Sequence, residues 1–172
     1  YDTVGRVKTV TDALDHQTNY DYDAVGRIVG VTDALGNSVG YTYDENGNLL
    51  TKTDEEGAVI SYTYDKENRI SSIESDLGTT YFAYDKLGRV VSVEDTDGHV
   101  ETTEYDGDGN AAAFTDKESW RTVYSYDASG RLAEETRPDG GKTSYEYNSN
   151  GNCTKITDAE ENVYTCEYDA NG

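Results

Sequence analysis

One short pattern recurs along the whole chain at a nearly constant interval. It consists of a Tyr, usually an Asp, two variable residues and usually a Gly, and it begins at Tyr1, Tyr22, Tyr43, Tyr64, Tyr84, Tyr105, Tyr126, Tyr147 and Tyr168. The interval is 21 residues except in the unit that starts at Tyr64, where it is 20. Such a period indicates tandem repeats, each of which buries its surface against the next. We therefore interpret residues 1–172 as one array of about eight repeats, and expect it to be a piece of a longer array.

Each repeat contains two copies of one turn signal, and positions are counted here from the Tyr. The first turn has Asp at +1 and Gly at +4, as in Asp23 and Gly26, and the second has Asp at +11 and Gly at +14, as in Asp33 and Gly36. An Asp side chain accepts a hydrogen bond from the backbone two residues later, and Gly takes a positive φ without steric cost. We predict type I turns followed by a left-handed Gly, a common hairpin connection. The residues that define the repeat are Tyr22, Asp23, Gly26, Tyr43, Asp44, Gly47, Tyr126, Asp127 and Gly130.

The segments between turns have the length and the composition of β-strands. They are rich in Val, Ile, Thr and Tyr, and Tyr41 and Tyr43 are spaced to share one face of a strand. The apolar positions +6 and +9, such as Ile28 and Val31, share a face only if a bulge lies between them, so their facing stays open. No segment sustains a helical periodicity. Each repeat is therefore predicted to be one β-hairpin, and the fold to be all-β with roughly sixteen antiparallel strands.

Charge and composition exclude several classes of function. The formal net charge is −21 and only 34% of the residues are hydrophobic. A chain this acidic is not expected to bind nucleic acid, because phosphates require a basic surface. No apolar run approaches the length of a membrane span, so membrane insertion is not predicted. We expect a secreted or cell-surface protein with a thin, partly wetted sheet rather than a thick core.

The repeated pattern as a whole resembles a known family. Tyr-Asp-x-x-Gly-Arg/Asn followed by Leu, Ile or Val, then Thr-Asp-x-x-Gly, then Tyr-x-Tyr-Asp, is similar to the Rhs or YD-repeat family. The resemblance implies tandem hairpins in a continuous sheet that curves or spirals into a hollow shell. Such shells occur in bacterial polymorphic toxins, insecticidal toxin complexes, animal teneurins and wall-associated proteins. It implies a structural role in the wall of a shell that encapsulates or presents a toxin or another C-terminal domain, with the rest of the parent chain as partner.

Other readings stay open at this stage. Two repeats would make a four-stranded propeller blade, but Arg and Asn at +5 do not alternate strictly, which favours a period of 21 over 42. An adhesive or glycan-binding surface module and a self-assembling extracellular filament are the alternative functions. We do not expect an enzyme, because the sequence lacks a Ser-His-Asp set, a Cys-His set and a phosphate-binding Gly loop. His16 and His99 lie four repeats apart and are interpreted as solvated turn residues.

Two acidic turns also permit a calcium interpretation. Asp95 and Asp97 precede one Gly, and Asp106 and Asp108 precede another, with alternating oxygen ligands like the opening of a calcium loop. The twelve-residue loop with its terminal Glu is missing, and the turn itself already explains the Asp residues. We therefore predict no cofactor and keep calcium as the alternative.

Two further candidate sites involve cysteines and a tryptophan. If the turn Asp158–Glu161 closes the last hairpin symmetrically, Cys153 faces Cys166 within disulfide range, and the alternative is two small buried apolar side chains. Trp120 occupies position +15, and with Phe114 and Arg121 nearby it is a candidate contact patch for a glycan, a neighbouring strip or a partner. The alternative is a single exposed aromatic residue shielded by its own hairpin.

Overall fold

The computed structural model of the chain describes residues 1–169, so the last three residues of the predicted array lie outside the described residues. Two compact units are present, Tyr1–Phe82 and a second that begins at Ala83. All regular elements in residues 1–169 are β-strands, which confirms the all-β prediction. No helix of the length and hydrophobicity needed to cross a membrane occurs in this part of the chain.

The first unit is built from four tandem hairpins. Its strands are β1 (Thr9–Thr11), β2 (Gln17–Tyr22), β3 (Ile28–Thr32), β4 (Ser38–Tyr43), β5 (Leu49–Thr53), β6 (Val59–Tyr64), β7 (Ile70–Ser75) and β8 (Gly78–Tyr84), the last of which continues two residues past the unit boundary. Strands that follow each other in the chain pair antiparallel throughout this unit. The repeats therefore contact their sequence neighbours, as predicted.

The second unit repeats this arrangement. Its strands are β9 (Val90–Glu94), β10 (Val100–Tyr105), β11 (Ala111–Thr115), β12 (Arg121–Tyr126), β13 (Leu132–Thr136), β14 (Lys142–Tyr147), β15 (Cys153–Thr157) and β16 (Val163–Thr165). Each again pairs antiparallel with the strand that follows it. Sixteen strands in two units match the predicted one hairpin per 21 residues.

The Asp-x-x-Gly signals form the predicted turns. In the turn that begins at Asp23, the Asp23 N–H donates to the carbonyl of Arg27 (2.9 Å) and the Gly26 N–H donates to the carbonyl of Asp23 (3.1 Å). Gly26 has a φ of 94°, in the left-handed region that a side chain with a Cβ enters only at a cost. Local chemistry therefore fixes where the chain reverses.

A β-bulge follows the first turn and settles the facing of the apolar residues. Tyr22 lies opposite Ile28, but the preceding Asp21 lies opposite Gly30, so Val29 is the extra residue. The same shift occurs where β4, β6, β10, β12 and β14 pair with the strands that follow them. Because one residue is skipped, positions +6 and +9 lie on the same face as the two Tyr residues of the preceding strand.

The sheet of the first unit has two chemically distinct faces. The tyrosine face, as we call it, consists of Tyr20, Tyr22, Ile28, Val31, Val39, Tyr41, Tyr43, Leu49, Lys52, Ile60, Tyr62, Tyr64, Ile70 and Ile73. The opposite face carries mainly small or polar side chains, among them Thr32, Ser38, Thr42, Thr51, Ser61, Thr63 and Ser72. The period of two along each strand therefore separates aromatic and aliphatic residues from polar ones.

Few residues of either unit are buried, as the composition predicts. Among the described residues only Ala113 and Ser72 are buried, at 1% and 8% exposure. Most residues of the tyrosine face are half-buried. No buried side-chain nitrogen or oxygen in this part of the chain lacks a hydrogen-bond partner. Stability must therefore come from hydrogen bonds and half-buried contacts between repeats more than from a core.

Candidate functional site: the first-turn edge

The first turns of successive repeats lie along one edge of the sheet in each unit, and each is organised by the carboxylate of its Asp. Asp23 Oδ1 accepts the N–H groups of Val25 (3.0 Å) and Arg27 (2.9 Å), and Oδ2 accepts the Nε–H of Arg27 (2.6 Å). The Asp and Arg of the turns at Asp2, Asp65, Asp85 and Asp127 are bonded in the same way. At Asp44 and Asp106 the side-chain donor is Asn48 or Asn110.

The arginine at +5 also reaches the next repeat. Arg27 Nη1 donates to the carbonyl of Asp44 (2.8 Å), and its Cζ lies 4.7 Å from the ring centroid of Tyr43. Arg6 and Arg131 make both kinds of contact, and Arg89 stacks over Tyr105 at 4.3 Å. A guanidinium over an aromatic face is attracted by the ring quadrupole, so these contacts join one hairpin to the next.

The tyrosine itself supplies a second bond between repeats. Tyr43 donates its hydroxyl to the carbonyl of Ile28 (2.9 Å), which belongs to the preceding repeat. Equivalent bonds of 2.8–3.0 Å are made by Tyr22, Tyr64, Tyr105, Tyr126, Tyr147 and Tyr168. We call the repeated set of Tyr, Asp and Arg or Asn the first-turn network. The network explains why a Tyr recurs at the same position of every repeat. Its ring can pack against the arginine, and its hydroxyl donates to a carbonyl of the bulged strand.

Electrostatics favour this network at neutral pH. Backbone hydrogen bonds from Arg6 lower the pKa of Asp2 to about 2, and the side-chain hydrogen bond from Arg131 lowers the pKa of Asp127. Burial raises the pKa of Tyr64 and of Tyr147. The carboxylates therefore remain ionised acceptors while the phenols keep the proton that they donate.

The second turns have the same Asp geometry without the connection to the next repeat. Asp33 Oδ1 accepts the N–H groups of Leu35 and Asn37, and Oδ2 accepts Asn37 Nδ2 at 2.9 Å. His16 and His99 use Nδ1 in the same position, 3.0 and 3.2 Å from Asp12 and Asp95. These bonds all join residues of a single turn.

Comparison with known proteins agrees with this architecture. The RHS Repeat family model matches residues 1–38, 22–57, 43–80, 64–100, 105–143 and 126–163. The chain belongs to the Rhs repeat family. This membership confirms the resemblance inferred from the Tyr-Asp pattern, and it makes the chain a structural repeat module. No curated protein matches it significantly.

Solved structures with the same fold come from Tc toxins. The TcdB2-TccC3 crystal structure aligns with a TM-score of 0.67 and 23% identity, over 87% of this chain and 10% of that chain. TcdB2-TccC3 without its hypervariable C-terminal region gives the same score and identity, over 87% and 9%. The Photorhabdus luminescens Tc holotoxin pore aligns with a TM-score of 0.64 and 15% identity, over 99% and 12%. The Rhs repeats described here thus span about a tenth of the length of the chains that they match.

Sequence reasoning missed the side chains at +5 and +15 as partners of the turn Asp. Position +5 holds Arg or Asn in every repeat, as at Arg27 and Asn48, whereas position +15 holds His or Asn in four of the repeats, as at His16 and Asn37. All four side chains carry an N–H that can reach a carboxylate four residues earlier. The restriction of position +5 to side chains that donate is the signal that could have identified the network.

The calcium candidates fall into two kinds of turn. Asp95 and Asp97 lie in a second turn, where they meet His99 so that one ligand atom from each lies within 4.8 Å of the others. Asp106 and Asp108 lie in a first turn, where Asp106 accepts Asn110 Nδ2 and two backbone N–H groups. The two pairs therefore do not form one site, and calcium stays the alternative to the prediction of no cofactor.

The register predicted for the cysteines is wrong by one residue. Ile156 lies opposite Tyr164 rather than Val163, and the Cys166 N–H donates to the carbonyl of Thr154 rather than facing Cys153. The reason is the asymmetric turn, in which the Asp158 N–H donates to the carbonyl of Asn162. Both cysteines are free thiols in the structure, so the predicted disulfide is not formed there.

The three residues of the proposed contact patch do not share one face. Phe114 lies opposite Thr122, while the next residue, Thr115, lies opposite Arg121, so Phe114 and Arg121 are on opposite faces of the sheet. Arg121 is paired with Glu104 at 2.9 Å. Trp120 is 56% exposed at the second-turn edge. Of the predicted patch, Trp120 alone is left as an isolated exposed aromatic side chain at that edge.

Proposed function

We propose that these Rhs repeats form part of the wall of a shell that encloses or presents a toxin or another C-terminal domain of a secreted or cell-surface protein. The observation that carries the proposal is the first-turn network, in which residues such as Tyr43 and Arg27 bond one repeat to its neighbour. Contacts of this kind can be added repeat by repeat without a central core, which suits an extended wall. The fold shared with Tc toxin chains supports the same role.

The role proposed for the array is structural rather than enzymatic. The carboxylates of Asp23 and Asp33 are occupied by turn hydrogen bonds, and His16 and His99 each bond to the Asp of their own turn. Groups held in this way are poor candidates for a nucleophile and a base that must meet at one substrate. The partners proposed are the rest of the parent chain, including the enclosed domain, and not nucleic acid.

Electron microscopy of the full-length parent protein, combined with limited proteolysis, tests this proposal. We expect a hollow particle, with the C-terminal domain resistant to protease until denaturant opens the wall. A solid fibre would contradict the proposal and favour the filament alternative. Cleavage of the C-terminal domain at the same rate in the native particle and in isolation would contradict enclosure.

A second candidate function is adhesion through Trp120, favoured by the 56% exposure of its side chain. Aromatic rings at a surface present an apolar face on which a sugar ring can stack. Glycan-array binding that is lost in Trp120→Ala but kept in Leu35→Ala, which removes a more exposed apolar side chain, would support this function. Equal binding by both variants would rule Trp120 out.

A further inference from the structure

Three of the arginines at +5 occupy a site that the chain builds between consecutive first turns. The site has three walls, which for Arg27 are the Oδ2 of Asp23, the carbonyl of Asp44 and the ring of Tyr43. Arg6 and Arg131 are held by the equivalent groups. The structure thus shows repeatedly which ligand this arrangement accepts, a planar guanidinium group.

In the second unit the copy of this site between the turns at Asp106 and Asp127 lacks its arginine. Position +5 is Asn110, whose Nδ2 reaches only its own turn, 3.1 Å from Asp106 Oδ2. The next tyrosine, Tyr126, keeps its usual place, because its hydroxyl donates to the carbonyl of Ala111 at 3.0 Å. A cleft of about 580 Å³ lies between the two turns, lined by Asp106, Asp108, Asn110, Ala112, Tyr124, Ser125, Tyr126, Asp127, Ala128 and Gly130.

A second asparagine at +5 shows that a missing arginine does not by itself leave an open cleft. Asn48 Nδ2 donates to Asn68 Oδ1 at 2.9 Å, and Asn46 Nδ2 donates to the same oxygen at 3.1 Å. Asn68 stands at position +4 of the next first turn, and the residue in that position beside the cleft is Gly130. The amide bridge that covers the gap beside Asn48 therefore has no equivalent beside Asn110.

The cleft is strongly acidic. The side-chain hydrogen bond from Asn110 lowers the pKa of Asp106, and that from Arg131 lowers the pKa of Asp127, so both are ionised at neutral pH. Arg131 is committed to Asp127 and to the carbonyl of Asn148. Asp108 adds an exposed carboxylate at the rim. A cation that enters meets negative charge as well as an aromatic face.

We propose that this cleft binds the side chain of an arginine from another polypeptide segment, with its guanidinium over Tyr126 in the place that Arg27 takes over Tyr43. The planar cation would donate to the Asp127 carbonyl and to the Asp106 carboxylate. Lysine fits less well, because its ammonium is a compact, strongly hydrated charge without a planar face to stack. The array wall would then carry one specific anchoring point for a neighbouring segment.

The proposal is tested by titrating the 172-residue chain with the peptide acetyl-Gly-Arg-Gly-amide and following amide and aromatic NMR signals. We expect saturable shifts confined to the turns Asp106–Asn110 and Asp127–Arg131 and to the Tyr126 ring. The matching lysine peptide should bind more weakly by about a factor of ten, a difference of one to two kcal/mol between stacked and unstacked cations. Equal binding of the two peptides, or shifts spread over all acidic turns, would overturn it.

Two variants close the cleft by different means, and each has a matched control. Asn110→Arg supplies the missing guanidinium, and Gly130→Asn supplies the bridging amide seen at Asn68, so both should abolish peptide binding while the chain stays folded. Asn48→Arg changes another +5 asparagine, in the first unit, and should leave binding unchanged. Asp108→Asn should weaken binding about two- to fivefold, as expected for one exposed charge. Unchanged binding in Asn110→Arg would show that the peptide sits elsewhere.

One further titration distinguishes an arginine side chain of a polypeptide from a small guanidinium compound as the occupant of the cleft. Propylguanidine carries the same guanidinium and the same single positive charge without a peptide backbone, so it should bind no more tightly than the arginine peptide. Tighter binding of propylguanidine would overturn the assignment of a polypeptide arginine and make a small cation the occupant.

Discussion

The two turn edges of the sheet use the same Asp-x-x-Gly signal for different purposes. At the first-turn edge, Asp23 holds Arg27, and Arg27 reaches the ring of Tyr43 and the backbone of the next turn. At the second-turn edge, Asp33 holds Asn37, and those bonds end inside the turn. The comparison shows that the shared signal reverses the chain at both edges, whereas an arginine at the fifth residue of a first turn adds a connection to the next repeat.

Departures from the turn pattern concentrate where repeats are not joined. Asp15, Ser119 and Glu161 stand at the Gly position of second turns and still take positive φ values of 62°, 66° and 63°. At the first-turn edge the described residues include Asn68 at the Gly position, whose side chain bonds to the neighbouring repeat, and Asn148 at the Asp position, which keeps the hydrogen bonds of the turn. Second turns therefore tolerate strained or altered residues because no neighbour depends on their side chains.

Acid should break both edges together, and this is the largest effect that we expect. The pKa of Asp2 is lowered from 3.8 to about 2, mainly by backbone hydrogen bonds from Arg6, and that of Asp33 is lowered by the side-chain hydrogen bond from Asn37. A carboxylate with a depressed folded pKa stabilises the fold above its unfolded pKa, and that stability is lost as the pH falls through the folded pKa. Circular dichroism from neutral pH down to about pH 2 should show unfolding that begins below about pH 4.

The variant Asp23→Asn serves as the control for the acid titration. An Asn side chain keeps the Oδ1 acceptor without titrating, as Asn148 does for the N–H groups of Asn150 and Asn152. Its stability should therefore change less between neutral pH and about pH 2 than that of the unaltered chain. An identical pH dependence would show that Asp23 contributes nothing to acid unfolding.

Removing one tyrosine ring from the first-turn edge should lower the free energy of unfolding far more than removing an apolar side chain from the second-turn edge. Tyr43→Ala deletes the ring under Arg27, the hydroxyl bond to Ile28 and half-buried area on the tyrosine face, and should lower the free energy of unfolding by about 3 kcal/mol. Leu35→Ala alters a second-turn residue that is 86% exposed and should change it by less than about 0.5 kcal/mol. Urea denaturation measures both.

A third variant separates the ring from the hydroxyl. Tyr43→Phe keeps the stacking surface and leaves the carbonyl of Ile28 without its donor, which should cost about 1 kcal/mol. Equal losses in the Ala variants at Tyr43 and Leu35 would remove the distinction between the two edges.

The parts of this fold that local chemistry determines could be predicted from sequence, and the parts that depend on pairing could not. Turns and strands follow from Asp, Gly and β-branched residues within about ten positions. The stacking of Arg27 on Tyr43 joins different repeats and exists only once the strands are aligned. The facing of Ile28 and Val31 required the bulge at Val29, and the error over Cys153 came from assuming a symmetric turn.

The fifth residue of each turn offers a direct comparison of the edges. Arg27→Ala removes the ion pair with Asp23, the bond to the Asp44 carbonyl and the stacking on Tyr43, and should cost about 1 to 1.5 kcal/mol. Asn37→Ala removes one exposed bond to Asp33 and should cost less than about 0.5 kcal/mol. The urea denaturation midpoints of the two variants measure both losses.

A substitution that retains the charge shows whether the stability lost in Arg27→Ala comes from the charge or from the stacked guanidinium. Arg27→Lys keeps the cation but not the planar fork, so it should recover less than half of the loss in Arg27→Ala. Full recovery would mean that net charge, rather than the stacked guanidinium, joins the repeats.

The smallest effect that we expect is a gain. Ser119→Gly relieves a left-handed backbone with φ of 66° in a second turn, which costs a residue with a side chain roughly 1 to 2 kcal/mol. The greater freedom of Gly in the unfolded chain offsets part of this, leaving a gain of about 0.5 kcal/mol. Asn68→Gly relieves a similar φ of 59° but deletes the amide bridge to Asn46 and Asn48. Its urea midpoint should therefore stay level or fall, because the same backbone relief at the first-turn edge removes a contact between repeats. A matching gain in both variants would show that the bridge contributes nothing and that the two edges differ less than their contacts imply.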